Sequence, residues 1–292
     1  MFIKGKIVEP EMHLKKNVRQ NIPVVALGMV GLLFFTVIFG PLITPYDPFK
    51  TDLNNAIRPP FWEEGGSTKN LLGTDAMGRD ILSRLIYGAR TSMVVSIFAI
   101  CICGTIGVLL GLASGYFGGK IDTVIMRFTD LWMSLPTIIT AILIVSLLGP
   151  SKKTVIIVVG VTGWITYARI VRGEVLSLKE AAFVRLARVA GCGHLRLIFS
   201  HLFPNVVNTL IILVTLDFGR VIIITATLSF LGLGIQPPSA SWGLMLAEGR
   251  QYITYAWWMI TFPGLAILLA VLGMNLTGDW LRDRLDPKQK LR

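Results

Sequence analysis

Apolar residues are concentrated in six long stretches of the chain, separated by polar segments. An α-helix needs about 20 apolar residues to cross a bilayer core about 30 Å thick. The stretches cover residues 24–43, 93–113, 131–149, 154–168, 206–230 and 257–276. The fourth has only 15 uncharged residues, but the cations that flank it can extend to the two interfaces. The pattern predicts an all-α integral membrane protein with six transmembrane helices.

Composition and charge agree with this prediction. Of the 292 residues 53% are hydrophobic and 15% are charged, whereas soluble domains have about 25% charged residues. The net charge of +11 is unevenly distributed. With the N-terminus inside, the cytoplasmic segments hold 18 Lys and Arg residues and the outer segments hold 9. Because positive charge favours the cytoplasmic side, both termini are predicted to be cytoplasmic.

Residues 44–92 form a predicted outer segment that is too long to be a simple turn. Its first part contains four prolines, which favour an irregular path. Asp75 is a candidate N-cap, and Ile81, Leu82, Leu85 and Ile86 then fall on one helical face. The segment is interpreted either as an interfacial helix that leads into the second span or as a collar that contacts a ligand or a delivery protein.

Residues 172–205 form a predicted cytoplasmic loop with two short helices. Helical apolar spacing continues to Val189, and the segment from Gly191 to Gly193 then breaks it. A second helix is predicted from His194 to His201, ending before Pro204. The loop either coats the membrane or fills a groove on a soluble partner.

The chain shows no signature of catalytic or cofactor chemistry. Gly118-Gly119-Lys120 is followed by Ile121, so it does not match a nucleotide-binding P-loop. The three His and three Cys residues lack the spacing of metal ligands, and no cofactor is predicted. Gly107, Gly111 and Gly115 recur every four residues, which favours close helix packing.

One pair of opposite charges lies well inside a predicted span. Asp217 and Arg220 are three residues apart, so they can touch on one helical face. A charge at mid-bilayer costs at least about 2.5–3.5 kcal/mol, and both side chains are therefore expected to face the bundle or a water-filled cavity. They either neutralise each other and fix the rotation of the helix, or line a path and meet charged ends of a substrate.

Three stretches resemble one family of membrane proteins. The first contains Gly73, Thr74, Asp75, Gly78, Arg79, Asp80, Ser83, Arg84, Gly88 and Arg90. The second is the cytoplasmic loop through Gly191 to Pro204-Asn205, and the third runs from Leu228 through Trp242-Gly243 to Asp283. Together they resemble the inner-membrane permeases of ATP-binding-cassette importers, specifically the second permease of the dipeptide, oligopeptide and nickel group.

The family's ATPase-coupling loop carries Glu-Ala-Ala followed at fixed spacing by Gly and Leu-Pro. Counting back from Gly191 and Pro204 places that triplet at Arg185, Leu186 and Ala187. Glu180-Ala181-Ala182 lies five residues out of register. Arg185 thus replaces the acidic residue and Phe203 replaces Leu. The resemblance assigns docking to Arg185, Leu186, Ala187, Gly191, His201, Pro204 and Asn205.

The resemblance implies a type I importer permease fold and a role without enzymatic activity. A second homologous permease, two cytosolic ATPases and an outer substrate-binding protein are the implied partners, in a bacterial or archaeal inner membrane. Peptides are the expected substrates, with nickel, metal chelates or glutathione-like compounds as alternatives. Residues 1–92 are predicted to form an N-terminal region and 93–292 a five-helix core. A self-contained secondary transporter or a membrane enzyme are competing hypotheses, although no internal repeat or nucleophile is found.

Overall fold

A computed structural model describes residues 11–285, with side chains from residue 24 onward. All regular elements within this part of the chain are helical. In chain order the α-helices are α1 (Glu11–Ile43), α2 (Ile81–Phe117), α3 (Gly119–Met133), α4 (Thr137–Leu148), α5 (Lys152–Leu178), α6 (Ala182–Val189), α7 (His194–Arg196), α8 (Phe203–Phe230), α9 (Trp242–Gly249) and α10 (Trp258–Leu285). A π-helical segment, Leu197–Leu202, joins α7 to α8.

Five helices in the described part are long and apolar enough to cross a membrane, or six if a bent pair counts as one span. The first apolar stretch, the 20 residues Val24–Ile43 at the end of α1, is confirmed as a candidate span. The fourth is also confirmed but is longer than predicted, because α5 has 27 residues and Arg169 and Arg172 lie within it. The sixth lies in α10 and continues to Leu285.

The third predicted span is wrong as a continuous helix. α3 and α4 meet at a bend of 87°, and the apolar stretch starts near the end of one and continues into the other. Pro136 stands between them as the N-cap of α4. Proline disfavours the helical conformation of the residue before it, here Leu135, so a helix tends to end at this point.

The second span starts earlier than the apolar pattern indicated. α2 contains 37 residues and begins at Ile81, so the separate interfacial helix is wrong. Ile81 and Leu85 belong to its first turns. The division of the chain between residues 92 and 93 stays a prediction, and α2 runs across that point.

The prediction of a second short helix that ends before Pro204 is also wrong. α7, the π-helical segment and α8 form one continuous helix, His194–Phe230, of 37 residues. Pro204 therefore lies inside a continuous helix, directly after the π-helical segment, where proline has no N–H to donate to the preceding turn. Only α6 remains as a separate short helix of the loop.

α2 occupies the centre of the described bundle and contacts α1, α5 and α8, while α10 packs against α8 and α1. Its contact with α5 is the closest. A Cβ added at Gly111 would lie 2.7 Å from the carbonyl oxygen of Ala168, and one at Gly115 would lie 2.8 Å from Cβ of Val175. Gly107 likewise faces the backbone of Trp164. The glycine spacing therefore serves close helix packing, as the sequence predicted.

Replacing Gly111 by Ala is expected to destabilise the bundle. The added methyl group would push α5 away from α2, a form of overpacking that costs about 1–3 kcal/mol. Gly104→Ala is the matched control on the same helix, because its Cβ would lie 3.7 Å from Cε1 of Tyr167, an ordinary contact. Thermal unfolding of both variants in detergent should show a lower midpoint for Gly111→Ala alone. Equal midpoints would contradict a tight α2–α5 contact.

Candidate functional site

Two glycines of the outer segment are required by the backbone itself. Gly73 has φ +81° and Gly78 has φ +73°, both in the left-handed region. A Cβ at Gly73 would lie 2.5 Å from the carbonyl oxygen of Arg58, and one at Gly78 would overlap the carbonyl oxygen of Asp52. These positions let the outer segment fold tightly back on itself.

The interpretation of Asp75 as an N-cap is wrong, because Asp80 caps α2. The Asp80 carboxylate accepts hydrogen bonds from the backbone N–H of Ser83 at 2.8 Å and from its hydroxyl at 2.6 Å. Asp75 instead closes the turn before it, accepting from the N–H groups of Met77 at 2.8 Å and Arg79 at 3.0 Å. A carboxylate that accepts backbone N–H groups can either cap a helix or close a turn, so the residue type of Asp75 does not by itself make it the cap of α2.

Asp75 is also the centre of a buried ion network. Its Oδ2 accepts from Nε of Arg79 at 2.7 Å and from Nη1 of Arg84. Both guanidinium groups also contact Oε2 of Glu248, at 3.1 Å from Arg79 and 2.7 Å from Arg84. Arg84 is only 1% exposed. Two cations and two carboxylates thus join the outer segment, α2 and α9.

Glu248 is a member of this network that sequence reasoning missed. It is the only charged residue of α9, which is short and otherwise uncharged. A single carboxylate in an apolar segment was the sequence feature that could have indicated a buried ion pair. Thr74 lies beside the network and is held by the indole of Trp258, which donates to its carbonyl oxygen at 3.1 Å. Arg90 of the same motif is exposed and takes no part. The outer motif therefore has a structural role in the described chain, apart from Arg90.

The cytoplasmic loop turns at Gly191 in a defined geometry. Gly191 has φ +79°, its N–H donates to the carbonyl of Arg188 at 3.1 Å, and the N–H of Cys192 donates to Ala187 at 3.0 Å. This is the Schellman arrangement that ends a helix with a left-handed residue, usually glycine. A Cβ at Gly191 would meet nothing within 4 Å, so the requirement is conformational and not steric.

α6 presents an exposed apolar surface beside cations. Leu186 is 68% exposed and Val189 is 87% exposed. Arg185, the residue before Leu186, is also exposed. Val184 on the opposite face is fully buried and anchors the helix. Ala187 of α6 is half-buried. The remaining predicted docking residues lie on the next helix, where His201 is half-buried in the π-helical segment and Pro204 and Asn205 are exposed at the start of α8.

Polar contacts tie the base of this loop to the helices. Arg172 of α5 binds Asp122 of α3 through two bonds, Nε to Oδ1 at 2.5 Å and Nη2 to Oδ2 at 2.7 Å. Ser114 of α2 also donates to Asp122. At the far side of the loop, the hydroxyl of Tyr116 lies 2.7 Å from Nδ1 of His194. The loop is therefore connected to α2 and α3 as well as to α5.

Asp217 and Arg220 form the predicted ion pair in α8, with Nε of Arg220 2.6 Å from Oδ1 of Asp217. The Asp217 side chain is 3% exposed and that of Arg220 is 46% exposed. The sequence did not identify Tyr167 of α5 as a third member, whose hydroxyl donates to Oδ2 of Asp217 at 3.1 Å. Both carboxylate oxygens thus have a partner, while nearly half of the Arg220 side chain stays exposed.

Within residues 24–285 no group of three or more His, Cys, Asp and Glu side chains is placed to hold a metal ion. The features that stand out are the buried ion network of the outer segment, the exposed loop that contains α6, and the polar contacts that join this loop to the helices.

Comparison with known proteins shows which family the chain belongs to. Residues 107–291 match the profile of the binding-protein-dependent transport system inner membrane component. The chain belongs to this family. Residues 15–60 match a second profile, the N-terminal transmembrane domain of oligopeptide transport permease C.

Individual relatives are similar over almost the whole permease. The dipeptide transport system permease protein DppC of Escherichia coli (strain K12) is 45% identical over 91% of this chain and 89% of its own length. The di/tripeptide transport system permease protein DppC of Pseudomonas aeruginosa is 44% identical over 91% and 88%. The oligopeptide transport system permease protein OppC of Bacillus subtilis is 38% identical over 97% and 92%. These relatives are named transport permeases and not enzymes.

The fold is also seen in a solved structure of a methionine ABC transporter, MetNI, in inward-facing conformations. The similarity has a TM-score of 0.51 at 17% identity and covers 67% of this chain and 91% of the other. The permease therefore has the type I importer fold that the resemblance implied.

Replacing Arg84 by Gln is expected to destabilise the permease strongly. It would leave Asp75 and Glu248 sharing one cation, and breaking a buried ion pair costs about 3–5 kcal/mol. Arg90→Gln makes the same chemical change six residues later on α2 at an exposed position, and its cost should stay within about 0.5 kcal/mol. Thermal unfolding of the purified chain separates the two. A midpoint for Arg84→Gln as high as that for Arg90→Gln would show that the network is not needed for stability.

Proposed function

We propose that this permease forms half of the translocation path of an ATP-driven importer of short peptides. It works with a second homologous permease, two cytosolic ATPase subunits and an outer substrate-binding protein. It lies in a bacterial inner membrane with both termini in the cytoplasm. Relatives that are 44–45% identical and are named for dipeptide or di/tripeptide transport support the substrate class.

The exposed surface of α6 is the observation that carries this proposal. Leu186 and Val189 place large apolar side chains in the solvent at the predicted cytoplasmic end, next to Arg185. A compact helix with apolar side chains beside cations suits a groove on a soluble subunit better than it suits water. The ATPase subunits are the partners that this surface would engage, and Arg185 supplies a cation where relatives of this family carry a carboxylate.

A force applied to α6 has a direct route into the membrane. α5 runs without a break from the bilayer to Leu178, and α6 begins after three intervening residues. The glycine contact holds α2 against α5, and Arg172 holds α3 through Asp122. Movement of the loop would therefore displace these helices as one body, which is what alternation between inward-open and outward-open states needs.

Reconstitution tests the proposal directly. The chain, co-expressed with its partner subunits, should co-purify with the ATPases and take up a radiolabelled dipeptide into vesicles only with ATP and the binding protein present. Uptake of a nickel complex or of glutathione without dipeptide uptake would contradict the substrate class. A chain that transports alone, driven by an ion gradient, would contradict the importer assignment.

Gly191→Ala is expected to uncouple this system. Holding an alanine in the left-handed region costs about 1–2 kcal/mol. If this strain falls on the docked loop, the population of the docked state falls roughly 5- to 30-fold. Gly193→Ala is the matched control, since Gly193 is also exposed and unobstructed but has φ −66°. The measurement is dipeptide uptake per ATP hydrolysed. Equal uptake per ATP in the two variants would show that the turn at Gly191 does not take part in coupling.

We also propose that Asp217 and Arg220 act mainly as a neutralising pair that fixes the rotation of α8. The deep burial of Asp217 against the Tyr167 hydroxyl supports this role, because an unpaired carboxylate there would be costly. The alternative, a role of Arg220 in the path, draws support from its side chain, which is 46% exposed.

A pair of isosteric variants separates the two roles. Arg220→Gln alone should impair assembly, because it leaves Asp217 charged and without its cation. The double variant Asp217→Asn with Arg220→Gln removes both charges and should restore assembly, as judged by co-purification with the ATPases. Restored dipeptide uptake would support the neutralising role. Restored assembly with at least a tenfold loss of uptake would instead place the Arg220 charge in the path.

A further inference from the structure

A cavity of about 420 Å³ with both polar and aliphatic lining residues lies between α5, α8 and α10. Its polar wall consists of Glu174 from α5, Asn205, Asn208 and Thr209 from α8, and Arg282 from α10. Aliphatic side chains of α5 and α8, among them Ile170 and Leu213, line the remainder. The volume falls within the range of about 300–1,000 Å³ that is typical of sites for small ligands.

The charges of this cavity have opposite signs and come from different helices. Glu174 is half-buried and Arg282 is exposed at its rim. Among the described residues neither side chain has an ion-pair partner or a hydrogen bond, although both line the same space. A cavity with a carboxylate on one side and a guanidinium on another suits a ligand that carries an ammonium and an anionic group.

The neutral polar groups fit such a ligand as well. Asn208 and Thr209 add amide and hydroxyl groups that can bond a peptide unit between the two charges. An extended chain advances about 3.3–3.6 Å per residue, so the charged ends of a dipeptide stand about 7 Å apart. A dipeptide is thus small enough to be held within the cavity while both ends approach protein charges.

The cavity lies close to the moving parts proposed above. Glu174 is four residues before Leu178, where α5 ends and the loop begins, and Asn205 lies in the first turn of α8. Displacement of the loop would therefore change the cavity's shape. This position suits a site that a substrate occupies as it leaves the path toward the cytoplasm.

We infer that the cavity is an exit site for a zwitterionic short peptide, with the ammonium on Glu174 and the carboxylate on Arg282. The inference rests on the proposed function. Phosphatidylethanolamine carries the same two kinds of charge in its headgroup, so the lipid is the competing source of this chemistry.

Protection of an introduced cysteine tests the site in the assembled transporter, without ATP or binding protein. Leu213→Cys, at an aliphatic lining position with no assigned polar contact to the peptide, is made in a chain whose accessible Cys101 and Cys192 are replaced by Ala, while the fully buried Cys103 stays. Dialanine should slow modification of this cysteine by a water-soluble thiol reagent. The slowing is about tenfold when the free peptide is about ten times its Kd. A cysteine at the exposed Ser177 is the control and should react at an unchanged rate.

Charge recognition is tested by capping the peptide and by neutralising the two residues. N-acetyl-dialanine amide, of similar shape but uncharged, should give no protection, and neither Glu174→Gln nor Arg282→Gln should be protected by dialanine. Glu180→Gln and Arg284→Gln change exposed neighbours and should keep the protection. Equal protection by the capped peptide, or protection that survives in Glu174→Gln, would overturn the inference. Ile170→Cys, at another aliphatic lining position, replaces Leu213→Cys if the latter does not assemble.

The lipid is tested by comparing nanodiscs with and without phosphatidylethanolamine. Slow modification whenever that lipid is present, with no further effect of dialanine, would overturn the assignment to peptide. The two proposals fail separately. Dipeptide uptake with no protection would refute the exit site alone, whereas protection by dialanine in a reconstituted system that takes up no dipeptide would refute the proposed function.

Discussion

The backbone contact between α2 and α5 is the constraint on which the rest of this structure depends. In a bilayer, helices gain little from hydrophobic burial against each other, since lipid tails are as apolar as their side chains. Close approach through Gly107, Gly111 and Gly115 supplies the packing instead. It makes α2 and α5 a single rigid unit, and several polar connections of the molecule attach to one of these two helices.

The attachments lie at both ends of this unit. At the outer end, Arg84 of α2 is held by Asp75 and Glu248, which fixes the outer segment and α9 to the helix. At the opposite end, Asp122 and His194 link α3 and α7 to α5 and α2. α2 has 37 residues, or about 55 Å at 1.5 Å per residue, so it extends beyond a hydrocarbon core about 30 Å thick. One helix therefore connects the outer network mechanically with the loop.

The sequence allowed five apolar stretches to be assigned to candidate spans, because hydropathy depends on composition and hardly on tertiary contacts. It also located the glycine contact and the contact between Asp217 and Arg220, since both follow from helical spacing. Other features depend on partners distant in sequence. Nothing local reveals that Arg84 meets Glu248. The cap was predicted at Asp75 and lies at Asp80, because both aspartates precede α2 by only a few residues and accept backbone N–H groups. The bend near Pro136 was missed because apolar residues continue on both sides of it, and hydropathy does not register backbone direction.

Exposure has a different meaning on the two parts of this surface. Large apolar side chains such as Ile139 and Leu147 of α4 are exposed, and in a membrane they need no partner other than lipid. Leu186 and Val189 are exposed to a similar degree, but they stand beyond the end of α5 among Arg side chains that favour an aqueous phase. Apolar exposure is therefore favourable on α4, which lipid can cover, and unfavourable on α6, which faces water. Because only the second requires a protein to cover it, the short α6 helix and not the much larger apolar surface of the spans indicates where a soluble subunit binds.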